Sequence, residues 1–148
     1  HPCNATFWKA SRLRLMWAQH RSRTLATVLH DGQIGASVAF INCHLEGDPQ
    51  KSLQRVQQLQ SALHGVHLAA SLQAPHASLV LAGDFNTTAE GAVAAYLSFG
   101  SVPCGTQDAW GSAGSVAVPD EVMAVPAHVY QLQSVYGLDD PRAFSFAP

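Results

Sequence analysis

The succession of an apolar run, an amphipathic helix and a second apolar run between residues 36 and 86 constrains this chain most. Ala36 to His44 is almost continuously apolar, as in a strand covered on both faces. Its even positions, Val38, Phe40, Asn42 and His44, share a face that turns from apolar to polar toward the carboxyl end. Asp48-Pro49 then offers a helix N-cap followed by a proline at the first helical position. Leu53, Val56, Leu59 and Leu63 recur at spacings of three, three and four, which predicts a helix over 49–63 that can continue past Gly65 toward Leu72. Residues 73–78 connect it to the run Leu79-Val80-Leu81-Ala82. A helix joining two strands of one sheet places them parallel through a right-handed crossover. Both strands would then end at one edge of the sheet, where α/β folds bind ligands.

The second run ends in Gly83-Asp84-Phe85-Asn86. On a strand, Asp84 and Asn86 point the same way while Phe85 points into packing. Gly83 permits close backbone approach, and Thr87 and Thr88 can cap the helix that 89–97 suggests. Together with His44 from the first strand end, these residues suit phosphate-ester chemistry. An imidazole donates to a phosphate oxygen, a carboxylate orients and deprotonates water, and a carboxamide NH₂ holds a non-bridging oxygen. A hard divalent cation suits the oxygen donors of Asp84 and Asn86. On composition alone, an Asx-type turn with a helix cap carries more weight for the same pair.

Elsewhere, Asn4 to Lys9 and Arg12 to Trp17 read as a hairpin about Ala10-Ser11, Thr24 to His30 as a third strand, and Asp31 to Gly35 as a turn. From 101 to 126 the chain is rich in Gly, Ser, Pro and Ala and is expected to be a long loop, with one helical turn near Asp120 to Met123. A short ordered element is expected at 127–136. The 148 residues, 47% hydrophobic, suit one modest domain with a packed core. With 12% charged residues and a net charge of -2, the chain lacks the basic excess of a protein that holds nucleic acid by electrostatics alone.

Arg12, Arg14, Arg21 and Arg23, with Trp8, Trp17 and His20, fit either a groove for single-stranded nucleic acid or, with more weight, a protected sheet edge. His64 and His67 lack a third metal ligand at suitable spacing. Glu46 fits a loop carboxylate near a helix start better than a partner of His44. Arg55 fits a pair with a carboxylate behind the site and a solvent-facing arginine equally well. Tyr130 and Tyr136 fit packing roles. Cys3, Cys43 and Cys104 form neither a CxxC motif nor a disulfide framework, which points to a reducing compartment. No stretch approaches the roughly 20 apolar residues of a membrane span, and the first residues do not pattern as a signal peptide. The expectation is a soluble intracellular protein, cytoplasmic by default, with no membrane partner.

Residues 42–47, the helix bearing Arg55 and Gln58, Gly83-Asp84-Phe85-Asn86 and a short helix ending at Gly100 together resemble the endonuclease/exonuclease/phosphatase superfamily. Asn42-Cys43-His44-Leu45 is similar to its Asn-Thr-His-Leu strand end, with Cys43 in place of a small polar residue. Leu132-Gln133-Ser134-Val135-Tyr136 is similar to the Leu-Lys-Ser-Ala-Tyr segment of the deadenylase, nocturnin and angel branch. The resemblance implies a four-layer αββα sandwich, two packed mixed β-sheets flanked by helices. It implies hydrolysis of phosphodiester or phosphomonoester bonds with Mg²⁺, or Mn²⁺, on RNA or a nucleotide phosphate, as a 3′-5′ exoribonuclease, deadenylase-like enzyme or nucleotide phosphatase. Carried over, Asp84 would orient and activate water. Asn86 would bind the scissile phosphate or hold Asp84 and metal in place, His44 would contact the phosphate, and Asn42 would line the substrate site.

Departures from the family pattern shape the remaining expectations. Members carry a metal-binding Glu and an Asn on strands before the region matching Asn4 to Lys9. Glu46, Glu90 and Glu121 lie in loop or helix contexts and do not match that Glu. Members also end with an Asp-His pair, and no His here follows an Asp. Residues 1–148 are therefore expected to be an internal part of the domain, lacking its amino-terminal and carboxyl-terminal strands, inactive alone and poorly stable alone. The alternative is a truncated or degenerate domain that keeps the fold for binding only.

Overall fold

The computed structural model describes residues 4–109, 114–130 and 132–133. The chain divides into two units, His1–His44 with Ser61–Gly83, and Leu45–Gln60 with Asp84–Pro148.

In the first unit, β1 (Leu13–Arg21), β2 (Thr24–Asp31), β3 (Ala36–His44) and β4 (Ser78–Asp84) form a sheet in the order β1-β2-β3-β4. β1 and β2 pair antiparallel from Leu13↔Asp31 to Arg21↔Thr24, with a register shift between Leu15 and Trp17. β2 and β3 pair antiparallel from Thr24↔Cys43 to Asp31↔Ala36. Between β3 and β4 the contacts advance in the same direction along both strands. Cys43 Sγ donates to the Ala82 carbonyl at 3.6 Å, and the Leu45 N–H donates to the Asp84 carbonyl at 2.9 Å. That is the parallel sense expected of a strand, helix, strand succession.

Alternation decides which side chains are buried. Ala39, Ile41 and Cys43 of β3 are buried, with Ala26, Val28 and Leu29 of β2. The even face of β3, Val38 to His44, is only half-buried, so the covering expected on both faces is found on one. Helix α1 (Ser52–Gln73) crosses from one strand to the other, burying Leu63, Val66 and Ala69 in its later turns. The side chains of Gln19 and Trp17 on β1 crowd it at Gly65.

Residues 4–9 do not form the expected strand. Side-chain bonds hold this segment instead of a ladder. Asn4 Nδ2 donates to the carbonyls of Arg23 and Asn42, at 2.7 and 3.2 Å, and Asn42 Nδ2 donates to the Ala5 carbonyl at 2.8 Å. Phe7 is left 91% exposed, so the apolar letters that suggested a strand are not burying surface. β1 in turn runs to Arg21, four residues past the expected end.

In the second unit, α1 begins at Ser52, later than the Asp48 cap implied. Asp48 closes a turn of its own, its carboxylate accepting the Gln50 N–H at 3.0 Å and its carbonyl accepting the Lys51 N–H at 3.0 Å. Helix α2 (Ala92–Phe99) follows Gly91 and ends at Gly100, whose φ of 78° suits a left-handed C-terminal residue. Neither Thr87 nor Thr88 caps it, since Thr87 Oγ1 turns to the Thr88 carbonyl. Residues 101–126 are more than a loop. β5 (Gln107–Ala109) and β6 (Ser115–Ala117) pair antiparallel through Asp108↔Val116, and α3 (Asp120–Met123) forms where one helical turn was expected. Tyr96 of α2 is fully buried, donates to the Pro126 carbonyl at 2.7 Å, and has its hydroxyl pushed up to about 12 by burial. Residues 127–130 are neither helix nor strand, and the Ser134-Val135-Tyr136 match lies outside the described residues.

Candidate active site

At the end of β4 the chain changes conformation within three residues. Gly83 has φ 133°, and a Cβ there would overlap the Cys43 carbonyl, so the close approach of β3 and β4 requires glycine. Asp84 is the last strand residue and is exposed. Asn86 is not on the strand. It has φ 46°, so alternation does not set its direction. A turn does, in which the Asn86 N–H donates to Asp84 Oδ1 at 2.9 Å. That is the Asx-type turn the sequence allowed, and it holds the Asn86 main chain against the Asp84 carboxylate. Asn86 Nδ2 also donates to the Leu45 carbonyl at 2.9 Å, bonding this turn to the chain just beyond β3.

Behind this turn lies a buried polar node that the sequence did not reveal. Arg55 is fully buried and Asp108 is 1% exposed, with Arg55 Nη2 2.8 Å from Asp108 Oδ2. Of the two readings open for Arg55, pairing with a buried carboxylate is the one found. Its guanidinium also donates to the carbonyls of Glu46, Asp48 and Pro49, at 3.3, 2.5 and 3.2 Å, and to Ser52 Oγ at 3.1 Å. Asp108 further accepts from Ser52 Oγ and, through Oδ1, from the Ala92 N–H at 2.7 Å. The first N–H of α2 is thus capped by a carboxylate sixteen residues away. Gln58 Oε1 accepts the Glu46 N–H at 3.1 Å, completing the hold on residues 46–49.

The other candidates are placed as follows. His44 ends β3 in the first unit, is half-buried, and its N–H donates to the Arg23 carbonyl at 3.0 Å. Asn42 lies on the same face of β3, with its amide on the Ala5 carbonyl. The Glu46 carboxylate accepts the Asp48 N–H at 3.3 Å, a local loop role. His64 and His67 are exposed on α1. Arg12 pairs with Asp31 at 2.6 Å, and Arg14, His20 and Arg21 are exposed on the edge strand β1. Cys43 is buried and Cys104 is exposed.

Among the described residues, no three His, Cys, Asp or Glu side chains gather as a metal site. Asp84 and Asn86 each carry a hard oxygen donor, two residues apart in one turn, and Asp84 is exposed to a ligand. These donors fit Mg²⁺ as part of a larger ligand set. No helix among the described residues is long and apolar enough to cross a membrane.

No protein-family profile matches the chain. Over 86 residues, 53% of the chain, it is 35% identical to the CCR4-Not complex 3′-5′-exoribonuclease subunit Ccr4 of Debaryomyces hansenii. Two crystal structures of ANGEL2, a 2′,3′-cyclic phosphatase, share its fold. One aligns over 78% of the chain with TM-score 0.60 and 17% identity. The other, bound to adenosine-2′,3′-vanadate, aligns over 64% with TM-score 0.54 and 18% identity. The chain spans 10% of the length of the Ccr4 relative and 39% and 32% of the two ANGEL2 chains. In its fold of mixed helices and strands the chain is thus similar to ANGEL2, and in sequence, over 86 residues, it is similar to Ccr4.

Proposed function

We propose that the chain contributes to a metal-dependent phosphodiesterase, a 3′-5′ exoribonuclease or deadenylase-like enzyme or a nucleotide phosphatase, with residues 1–148 belonging to its catalytic domain. The observation that carries this reading is the exposed Asp84 carboxylate at a strand end, bonded to the Asn86 N–H at 2.9 Å. Ccr4 is an exoribonuclease and ANGEL2 a cyclic phosphatase, and both names support a phosphate ester as substrate.

Asp84 orients the attacking water and takes its proton, while Asn86 holds Asp84 through its N–H and presents its carboxamide to a phosphate oxygen. His44 contacts the phosphate and Asn42 lines the substrate site. Asp84 and Asn86 would hold Mg²⁺ or Mn²⁺ in part, and such an ion would supply charge stabilisation to the phosphate oxygens.

The test is hydrolysis by the intact protein of an oligoribonucleotide ending in 3′ adenosines, with Mg²⁺ or Mn²⁺. Asp84→Asn is expected to lower kcat by about 10² to 10⁴. No hydrolysis of this substrate, of a 2′,3′-cyclic nucleotide or of a nucleotide phosphate would reject the enzyme reading. The second reading, a domain that binds without catalysis, is favoured by one observation: the Asx turn and the Asn86 bond to Leu45 also serve structure alone. Binding of the oligoribonucleotide without turnover would establish it.

A further inference from the structure

The buried node behind the Asp84-Asn86 turn grips both segments that flank Asn86. On one side, Arg55 takes the carbonyls of Glu46, Asp48 and Pro49, and this loop begins at Leu45, whose carbonyl receives Asn86 Nδ2. On the other, Asp108 takes the N–H of Ala92, six residues after Asn86, and so fixes where α2 begins. One carboxylate joins the two sides, with Oδ2 on Arg55 and Ser52 and Oδ1 on Ala92. At Gly91 a Cβ would meet Thr87 Oγ1 and Asp108 Oδ1, which shows how closely the turn and the node are packed.

We infer that Asp108 is a positioning residue for Asn86. Through Arg55 it sets the loop that carries the Leu45 carbonyl, and through Ala92 it sets the helix into which the Asn86 turn leads. Bonds from one buried acceptor to two flanks act as a brace, because neither flank can move without breaking a charge-assisted bond. Such bracing matters for chemistry, since a misplacement of about 1 Å can cost about 10²-fold in rate. The catalytic part of this inference rests on the phosphodiesterase reading, whereas the geometric part does not.

The test uses the intact protein with Asp108→Asn, an isosteric change that removes the charge. The first readout is hydrogen exchange of the Asn86 side-chain NH₂, followed by NMR. Exchange at least about tenfold faster is expected, with protection of the β2 and β3 backbone amides retained. Unchanged Asn86 exchange, or equal acceleration at all sites, would overturn the inference. The second readout is hydrolysis. Asp108→Asn is expected to lower kcat about tenfold or more with KM within about twofold, and to lower it little further once Asn86→Ala is present. Full additivity of the two changes would also overturn the proposal.

Absence of hydrolysis by the unaltered protein would remove the enzyme reading while the exchange experiment still decides the brace. Should Asp108→Asn fail to fold, Ser52→Ala removes a single bond to Asp108, and a smaller acceleration of about threefold at Asn86 is expected. No acceleration there would reject the brace.

Discussion

The side-chain amide of Asn86 donates to the main-chain carbonyl of Leu45 at 2.9 Å, and the Leu45 N–H donates to the Asp84 carbonyl at the same distance. The chain leaving β3 and the turn leaving β4 are therefore tied twice within three residues. Asn86 holds this arrangement at φ 46°, a conformation that asparagine tolerates better than most residues. Asn86→Gly removes the bond without strain and is expected to cost about 1 kcal/mol. Asn86→Ala adds the left-handed penalty and is expected to cost about 2 kcal/mol or more. Urea unfolding gives the order directly, and an alanine variant as stable as the parent would refute the account.

Gly83 makes a sharper case because both its φ of 133° and its contact with the Cys43 carbonyl exclude a side chain. Gly83→Ala is expected to destabilise by more than about 3 kcal/mol, since the obstacle is backbone and cannot swing aside. The measurement is the denaturant midpoint, or soluble yield if the variant does not fold. A shift below about 1 kcal/mol would mean that β3 and β4 can separate at no great cost.

How far the sequence was legible follows from the range of the interactions involved. β3 runs over Ala36–His44 and α3 over Asp120–Met123, as local pattern implied, because alternation and a single helical turn are set by neighbours. The Asx turn at Asp84-Asn86 was legible for the same reason. The strand expected at 4–9 was not found, because what holds that segment is Asn4 reaching Arg23 and Asn42 reaching Ala5. The cap of α2 was sought in Thr87 and Thr88, but Asp108 supplies it from a different strand. Asp108 carried no local sign of its role, since its partners Ser52 and Arg55 lie 56 and 53 residues away.

The Arg55–Asp108 pair is buried at 0% and 2% side-chain exposure, so neither charge can be left alone cheaply. Arg55→Met is expected to destabilise by about 3 to 5 kcal/mol, because Asp108 remains buried without its cation. Asp108→Leu in that background should cost much less than it does alone. A double-mutant cycle is expected to give a coupling above about 2 kcal/mol. Additive effects within about 0.5 kcal/mol would show that the two residues act independently.

Asp31 gives stability a dependence on pH. Its side chain accepts Arg12 Nε at 2.6 Å and the Gln33 N–H at 2.9 Å, and chiefly the Arg12 bond holds its carboxyl below the ordinary 3.8. A group with a lowered folded pKa binds fewer protons folded than unfolded. Its contribution is therefore present above pH 3.8 and is lost as pH falls through the lower folded value. Asp31→Asn is expected to flatten the fall of Tm in that acidic window. Salt should weaken the effect in the parent, because Arg12 is half-exposed. An identical Tm profile for the parent and the variant below pH 4 would exclude the pair as a source of acid sensitivity.

Ser22 holds φ 43° in the tight connection between Arg21 and Thr24, where β1 turns into β2. A serine in this left-handed region carries strain of about 1 kcal/mol, which glycine avoids. Glycine also loosens the unfolded chain, offsetting about half of that gain. Ser22→Gly is therefore expected to stabilise the protein by about 0.5 kcal/mol, read as a small rise in the denaturant midpoint at unchanged slope. Arg23→Gly provides the contrast, because Arg23 has no positive φ for glycine to relieve and that change should destabilise. If both substitutions destabilise equally, strain at Ser22 is not what limits this hairpin.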